Sequence, residues 1–292
     1  MGSRDRWHLN EGDAITPELT AMRLLGGGAT YEAYLAFDDV TYAPVVVKVL
    51  RPGLVEDEHS RRGLQREVAA LAAVNHPVVV RGLRHEMDGD RPHLVLEHID
   101  GPRLSSLIRR HGPLQEQQYL PLAIDLASAL HYFRRVGYTH LDVKPSNIIM
   151  GAPARLIDLS VARPVRDAAA LSHVIGTDAY LAPEQADPPA TGRPGPASDV
   201  WGLGATLFEA VAGYRPFEEG EPAHPDLDRR YPQTWARPRD LPDRVPADIA
   251  KTVLAMLDQD PDHRPLPHEV AQALEPALTR QPAARLTFKV RG

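Results

Sequence analysis

The chain has 292 residues, with 43% apolar and 25% charged side chains, which is enough material for a large core in a soluble globular protein. Its net charge of -6 argues against wholesale binding to nucleic acid or to an anionic membrane surface. With no cysteine it can carry no disulfide, thiolate metal site or cysteine nucleophile, and no apolar run reaches the roughly 18 residues of a membrane span.

In chain order, Ala21–Leu25 reads as a strand running into Gly26-Gly27-Gly28, Tyr31–Phe37 alternates as a second strand, and Val45–Leu50 is a β-branched third. Residues 56–74 read as a helix, with Leu64, Val68, Leu71 and Val74 on one face and a stop at Asn75-His76-Pro77. Val78–Val80 and His93–Glu97 look like two further strands, with an Asp88-Gly89-Asp90 turn between them. From about Ser105 the period turns helical. Leu114–Val136 puts Tyr119, Leu122, Leu126, Leu130 and Phe133 on one face, and Pro121 within it predicts a kink or a late start. Residues 199–212, 247–258 and 267–278 are further helix candidates, the proline-rich stretch 187–197 is a loop, and 285–291 alternates like a lone strand.

The densest chemistry lies in Tyr138-Thr-His-Leu-Asp-Val-Lys-Pro-Ser-Asn147, followed by Leu156-Ile-Asp-Leu-Ser160. Asp142, Lys144, Asn147 and Asp158 supply an acid, an ammonium, a carboxamide and a second acid, a set able to hold a metal-nucleotide and orient a hydroxyl. His140 reads as a packed, hydrogen-bonded residue rather than an acid or base. Upstream, Leu25–Ala33 could be a glycine-rich hairpin or a phosphate cradle, since glycines let backbone N–H groups come close to an anion. Lys48 alone would be an ordinary strand lysine. Glu67, nineteen residues later on the helix, supplies the counter-charge that a lysine among valines requires.

Together these motifs resemble the catalytic domain of eukaryotic-type (bacterial, Hanks-type) serine/threonine protein kinases, over roughly residues 18–280. The resemblance implies an α+β, two-lobed fold: a small β-rich lobe to about residue 98, a larger helical lobe from about 99 to 280, and a tail at 281–292. It implies transfer of the γ-phosphoryl group of MgATP to Ser/Thr hydroxyls of a protein substrate. Asp142 would accept the hydroxyl proton, Lys144 would steady the phosphoryl group, and Lys48, fixed by Glu67, would contact the phosphates. Gly26, Gly27 and Gly28 would cover the triphosphate. Leu96, Glu97 and Ile99 would line the adenine site, while Asn147 and Asp158 would ligate Mg²⁺. Val174–Glu184 is similar to a substrate-docking segment with Thr177 bonded to the catalytic pair, Glu184 would pair with Arg264, and Asp199 would anchor the catalytic loop.

The chain departs from the family pattern in several places. Tyr31 takes the third glycine position and should stiffen or obstruct the loop tip, while Ala33 gives a thinner roof over adenine. Leu141 stands where many such kinases carry an arginine that pairs with an activation-loop phosphate, which predicts no need for that phosphorylation. Ser160 replaces the glycine of Asp-Phe-Gly and should restrict the metal-binding segment. These departures motivate the alternative of a pseudokinase, an ATP-binding signalling scaffold. The expected location is cytoplasmic, either alone or as the cytosolic domain of a longer membrane protein.

Overall fold

Strict alternation in the early strands builds the first layer. In the computed structural model, which describes residues 5–281, β1 (Ala14–Thr16), β2 (Leu19–Gly27), β3 (Tyr31–Asp38), β4 (Ala43–Leu50), β5 (Gly82–Glu86) and β6 (His93–Glu97) form one antiparallel sheet. The strand order is β1-β2-β3-β4-β6-β5. Side chains two apart share a face. Val45, Val47 and Val49 therefore join Ile15, Leu19, Ala21, Tyr34 and Ala36 in a small outer core capped by Trp7 and Leu9. Val46 and Lys48 project from the opposite face, toward the rest of the molecule.

That inner face is covered by α1 (Glu58–Ala73), which starts at Asp57, whose carboxylate accepts the Ser60 N–H at 2.7 Å. Its period turns Leu64, Glu67 and Ala70 inward. The sequence places a strand at Val78–Val80, but these residues form a buried turn with a single bridge, Val79 to Leu156. The strand itself is β5, which has no apolar alternation because it is an exposed edge.

The second part is helical. α2 (Leu104–His111) and α3 (Glu116–Arg135) precede two short ribbons: β7 (Tyr138–Thr139) pairs with β10 (Arg163–Pro164), and β8 (Ile148–Ile149) pairs with β9 (Arg155–Leu156). Then follow α4 (Val165–Ala168), α5 (Pro183–Ala186), α6 (Pro188–Thr191), α7 (Pro196–Ala212), α8 (Leu227–Arg230), α9 (Ala247–Met256) and α10 (Pro267–Arg280). Tyr119, Leu122, Leu126, Leu130 and Phe133 are buried on α3 as their spacing requires, and α7 is apolar and buried almost all round. α3 runs through Pro121. Proline removes one N–H, which leaves the carbonyl of Gln117 without its helical partner, and both residues are exposed to water that can replace it. The proline-rich stretch 187–197 contains α6 and the first turn of α7 as well as loop.

The result is the mixed α+β architecture expected, a β-rich first part and a helical second part. The strand-like tail expected at 285–291 lies outside the described residues. No helix among the described residues is long and apolar enough to cross a membrane.

Candidate active site

The two ribbons carry the loops between the sheet and the helices. Residues 140–147 link β7 to β8, and residues 157–162 link β9 to β10. The first loop is pinned from below by α7. Asp199, 3% exposed, accepts three hydrogen bonds: from the Thr139 hydroxyl (2.7 Å), the His140 N–H (2.8 Å) and the Leu141 N–H (2.7 Å). Leu141 adopts a left-handed backbone with φ 64°, which these bonds help to offset, and its carbonyl accepts from the Gln185 amide at 2.9 Å. His140 is buried against Phe133, and its Nδ1 accepts the Asp142 N–H, so it packs and bonds as its setting predicts.

Above this anchor the chemical groups meet. The Asp142 carboxylate receives the Thr177 hydroxyl on Oδ1 at 2.8 Å, and Lys144 Nζ (2.7 Å) and the Asn147 amide (3.0 Å) on Oδ2. Lys144 also reaches Thr177 Oγ1 at 2.5 Å. The Asn147 amide nitrogen is further bonded to the Asp142 carbonyl, which leaves its amide oxygen as an acceptor.

Lys48 lies between two carboxylates, Glu67 at 2.5 Å and Asp158 at 2.8 Å. Burial alone would pull the Lys48 ammonium down, but Glu67 and Asp158 outweigh it and hold the group protonated. Burial pushes the Asp158 carboxyl up, yet the adjacent ammonium wins and holds it well below the usual carboxylate range. Asp158 also carries the left-handed backbone here, φ 69°, and its Oδ1 accepts the Ser160 N–H at 3.4 Å. The strained residue of this segment is therefore the acid, and Ser160 sits on an ordinary backbone.

These groups border one cavity of about 800 Å³ between the sheet and the helical part, a volume suited to a nucleotide-sized ligand. Gly26, Gly27 and Gly28 roof it, Lys48, Asn147 and Asp158 line its inner end, and Leu96, Glu97 and Ile99 line the connection between the two parts. Asp142 sits beside the cavity rather than in its lining, linked to it through Asn147. Glycine is required at Gly26, with φ 146°, and at Gly27, where a Cβ would collide with the Tyr31 carbonyl. Tyr31 is among the residues lining the cavity. Its hydroxyl approaches Gly63 on α1, and burial, reinforced by Glu67, raises its phenol to about 12.

Deeper in the helical part, Glu184 and Arg264 form the expected buried ion pair, with two contacts of 2.7 and 2.9 Å, and Ser198 donates to the same carboxylate at 2.7 Å. Two contributors carry no sequence signal of their own. Gln185 ties Leu141 to Ile175, and Arg155 with Arg81 holds the Glu97 side chain.

Residues 19–274 match the family described as protein kinase domain. Among curated proteins, the chain is 32% identical over 250 residues to serine/threonine-protein kinase PknB of Mycobacterium leprae, covering 82% of this chain and 40% of that protein. It is 31% identical over 251 residues to PknB of Mycobacterium tuberculosis, with the same coverage. To the protein named probable serine/threonine-protein kinase PkwA of Thermomonospora curvata it is 34% identical over 254 residues, covering 86% of this chain and 33% of that protein. The chain thus spans two fifths or less of the length of these relatives.

Proposed function

We propose, because this chain belongs to the protein kinase domain family, that it is an ATP-dependent serine/threonine protein kinase acting on protein hydroxyls, with residues 18–280 as its catalytic unit. The observation that carries this reading is the meeting of two ion-paired clusters, Lys48–Glu67–Asp158 and Asp142–Lys144–Thr177–Asn147, at one roofed cavity.

Each side chain then has a physical task. Lys48, held charged by a buried carboxylate on α1, presents a fixed cation to the phosphates, so the charge need not be assembled during the reaction. Asp142 accepts the proton of the substrate hydroxyl. Its two oxygens are already oriented by Thr177, Lys144 and Asn147, which favours a near-attack geometry. Lys144 donates to the transferring phosphoryl group. Asn147 and Asp158 offer oxygen donors of the type Mg²⁺ prefers, and such sites are completed by phosphates rather than by a closed protein cage. When bound, Mg²⁺ would neutralise phosphate charge. The contact of Thr177 with both Lys144 and Asp142 supports Ser/Thr substrates over tyrosine.

The reading is tested by incubating the protein with radiolabelled ATP, MgCl₂ and a generic basic protein beside Asp142→Asn. Losing a general base lowers rate about 10²–10⁴-fold. Equal incorporation by both proteins removes the enzyme assignment from this site, and nucleotide binding without turnover in the wild type favours a scaffold.

We infer that turnover does not require activation-loop phosphorylation. Leu141 is buried and offers no charge to a phosphate, while its main chain is already held by Asp199 and Gln185. Ser172→Ala and phosphatase-treated protein are each expected to turn over within about twofold of wild type, since Leu141 can form none of the charge-assisted bonds, worth about 1.5–3 kcal/mol, that an arginine there would offer. A loss of tenfold or more would contradict this.

A further inference from the structure

Behind the glycine-rich turn, on the outer face of the sheet, lies a buried polar chain that the proposed chemistry does not use. Arg51 follows β4 and is 6% exposed. Its backbone N–H donates to the Thr30 carbonyl at 3.0 Å, and its Nε donates to the Gly28 carbonyl at 2.9 Å. One residue thus grips both sides of the turn that roofs the cavity. The guanidinium is held in turn by Glu32 Oε1 at 3.1 Å, and Glu32, 2% exposed, also accepts from the Tyr34 hydroxyl at 2.6 Å.

The remaining contacts come from the start of the described chain. The Asp5 carbonyl accepts from Arg51 Nη1 at 3.0 Å, and the Trp7 N–H donates to Glu32 Oε2 at 3.3 Å. Trp7 is fastened independently: its indole N–H donates to the Leu50 carbonyl at 2.7 Å, and the Arg91 guanidinium lies 4.8 Å over its ring. Arg91 itself is fixed by the Ala14 and Ile15 carbonyls at 2.6 and 2.9 Å. Leu9 packs with Trp7 on the small outer core.

We propose that Arg51 is a positioning residue for the nucleotide-covering turn, and that residues 5–9 act as a strap whose seating on the sheet sets how firmly that turn closes. The inference rests on the nucleotide reading of the cavity. The physical reason is directional. A glycine-rich turn presents N–H groups to phosphate only if its carbonyls point away, and Arg51 binds two of those carbonyls from behind. Strap contacts fix the guanidinium through Glu32 and Asp5, so loosening Trp7 frees the turn without touching the cavity. Partners able to pull residues 5–9 off the sheet would lower nucleotide affinity while leaving the chemical groups in place.

The test uses the whole chain with Trp7→Ala, Trp7→Phe and Arg51→Lys. Lysine preserves the charge facing Glu32 but loses the fork that reaches Gly28. MgADP affinity is measured by calorimetry, the ATP KM and kcat by the labelling assay, and amide exchange at residues 26–32 in nucleotide-free protein. Trp7→Ala and Arg51→Lys are expected to weaken MgADP about five- to tenfold, the worth of one or two hydrogen bonds. The change should fall in KM more than in kcat, with faster exchange at 26–32, and Trp7→Phe should recover part of both effects. Unchanged affinity and exchange in Trp7→Ala overturn the strap, including where its melting temperature falls, because Trp7 is then only packing. If Arg51→Lys fails to fold, Trp7→Ala decides. Should wild type bind no MgADP, the nucleotide reading fails, and exchange in the free protein still decides the strap.

Discussion

The loop at 139–147 and the turn at 26–30 border the same cavity but are held in opposite ways. The loop stands on a buried carboxylate, Asp199, that satisfies three of its donors, and its functional side chains are bonded to one another. The turn is largely exposed and is held by its carbonyls, both bonded by Arg51, which the strap holds from behind. Interactions buried in a low-dielectric interior fix geometry, whereas exposed backbone opens locally at little cost. The difference would suit the proposed function: proton and phosphoryl positioning tolerate little error, while a nucleotide must enter and leave.

The largest break in that contrast should come from Asp199→Ala. It leaves the Thr139 hydroxyl and the His140 and Leu141 N–H groups buried without an acceptor, at about 1–3 kcal/mol each. A stability loss of about 3 kcal/mol or more in guanidinium denaturation is expected, together with loss of turnover, and a loss under 1 kcal/mol would show that the loop does not need its anchor. Thr177→Val acts one level up. It removes the hydroxyl that bridges Asp142 and Lys144, so kcat should fall about ten- to hundredfold with MgADP affinity unchanged. An equal fall in nucleotide affinity would mean that the two clusters are not separable. The smallest effect is expected in the turn itself. Gly28→Ala has open space and an ordinary φ, so stability should move by less than about 0.5 kcal/mol. Gly27→Ala meets the Tyr31 carbonyl and should cost measurably more, and equal melting temperatures for the two variants would contradict the geometry.

The polar cluster at 139–147 was legible because its residues are close in sequence and each type has a narrow chemical use. Lys48 and Glu67 were legible as a pair because a lysine among buried valines needs a counter-charge and the family resemblance points to this glutamate. Other features left no such trace. The strap joins Trp7 to Leu50 and Arg51 to Asp5, partners more than forty residues apart, and single tryptophans and arginines carry no period. β5 is polar and exposed, so alternation misses it, whereas the apolar Val78–Val80 run is a core turn that looks like a strand. The left-handed backbone falls at Asp158 rather than at residue 160, and aspartate adopts that conformation more readily than most residues. Tyr31 could be placed in the turn by sequence, but the open position beside Gly63 that receives its hydroxyl belongs to a different element.

A leucine at position 141 has a consequence for how such an enzyme would be switched off. An arginine there makes the working state conditional, because its charge waits for a modification that another enzyme can erase. Leu141 is buried with both main-chain groups already bonded, and it carries no charge to pair with a phosphate. On the proposed reading, restraint would instead act through whatever displaces residues 5–9 from the back of the sheet.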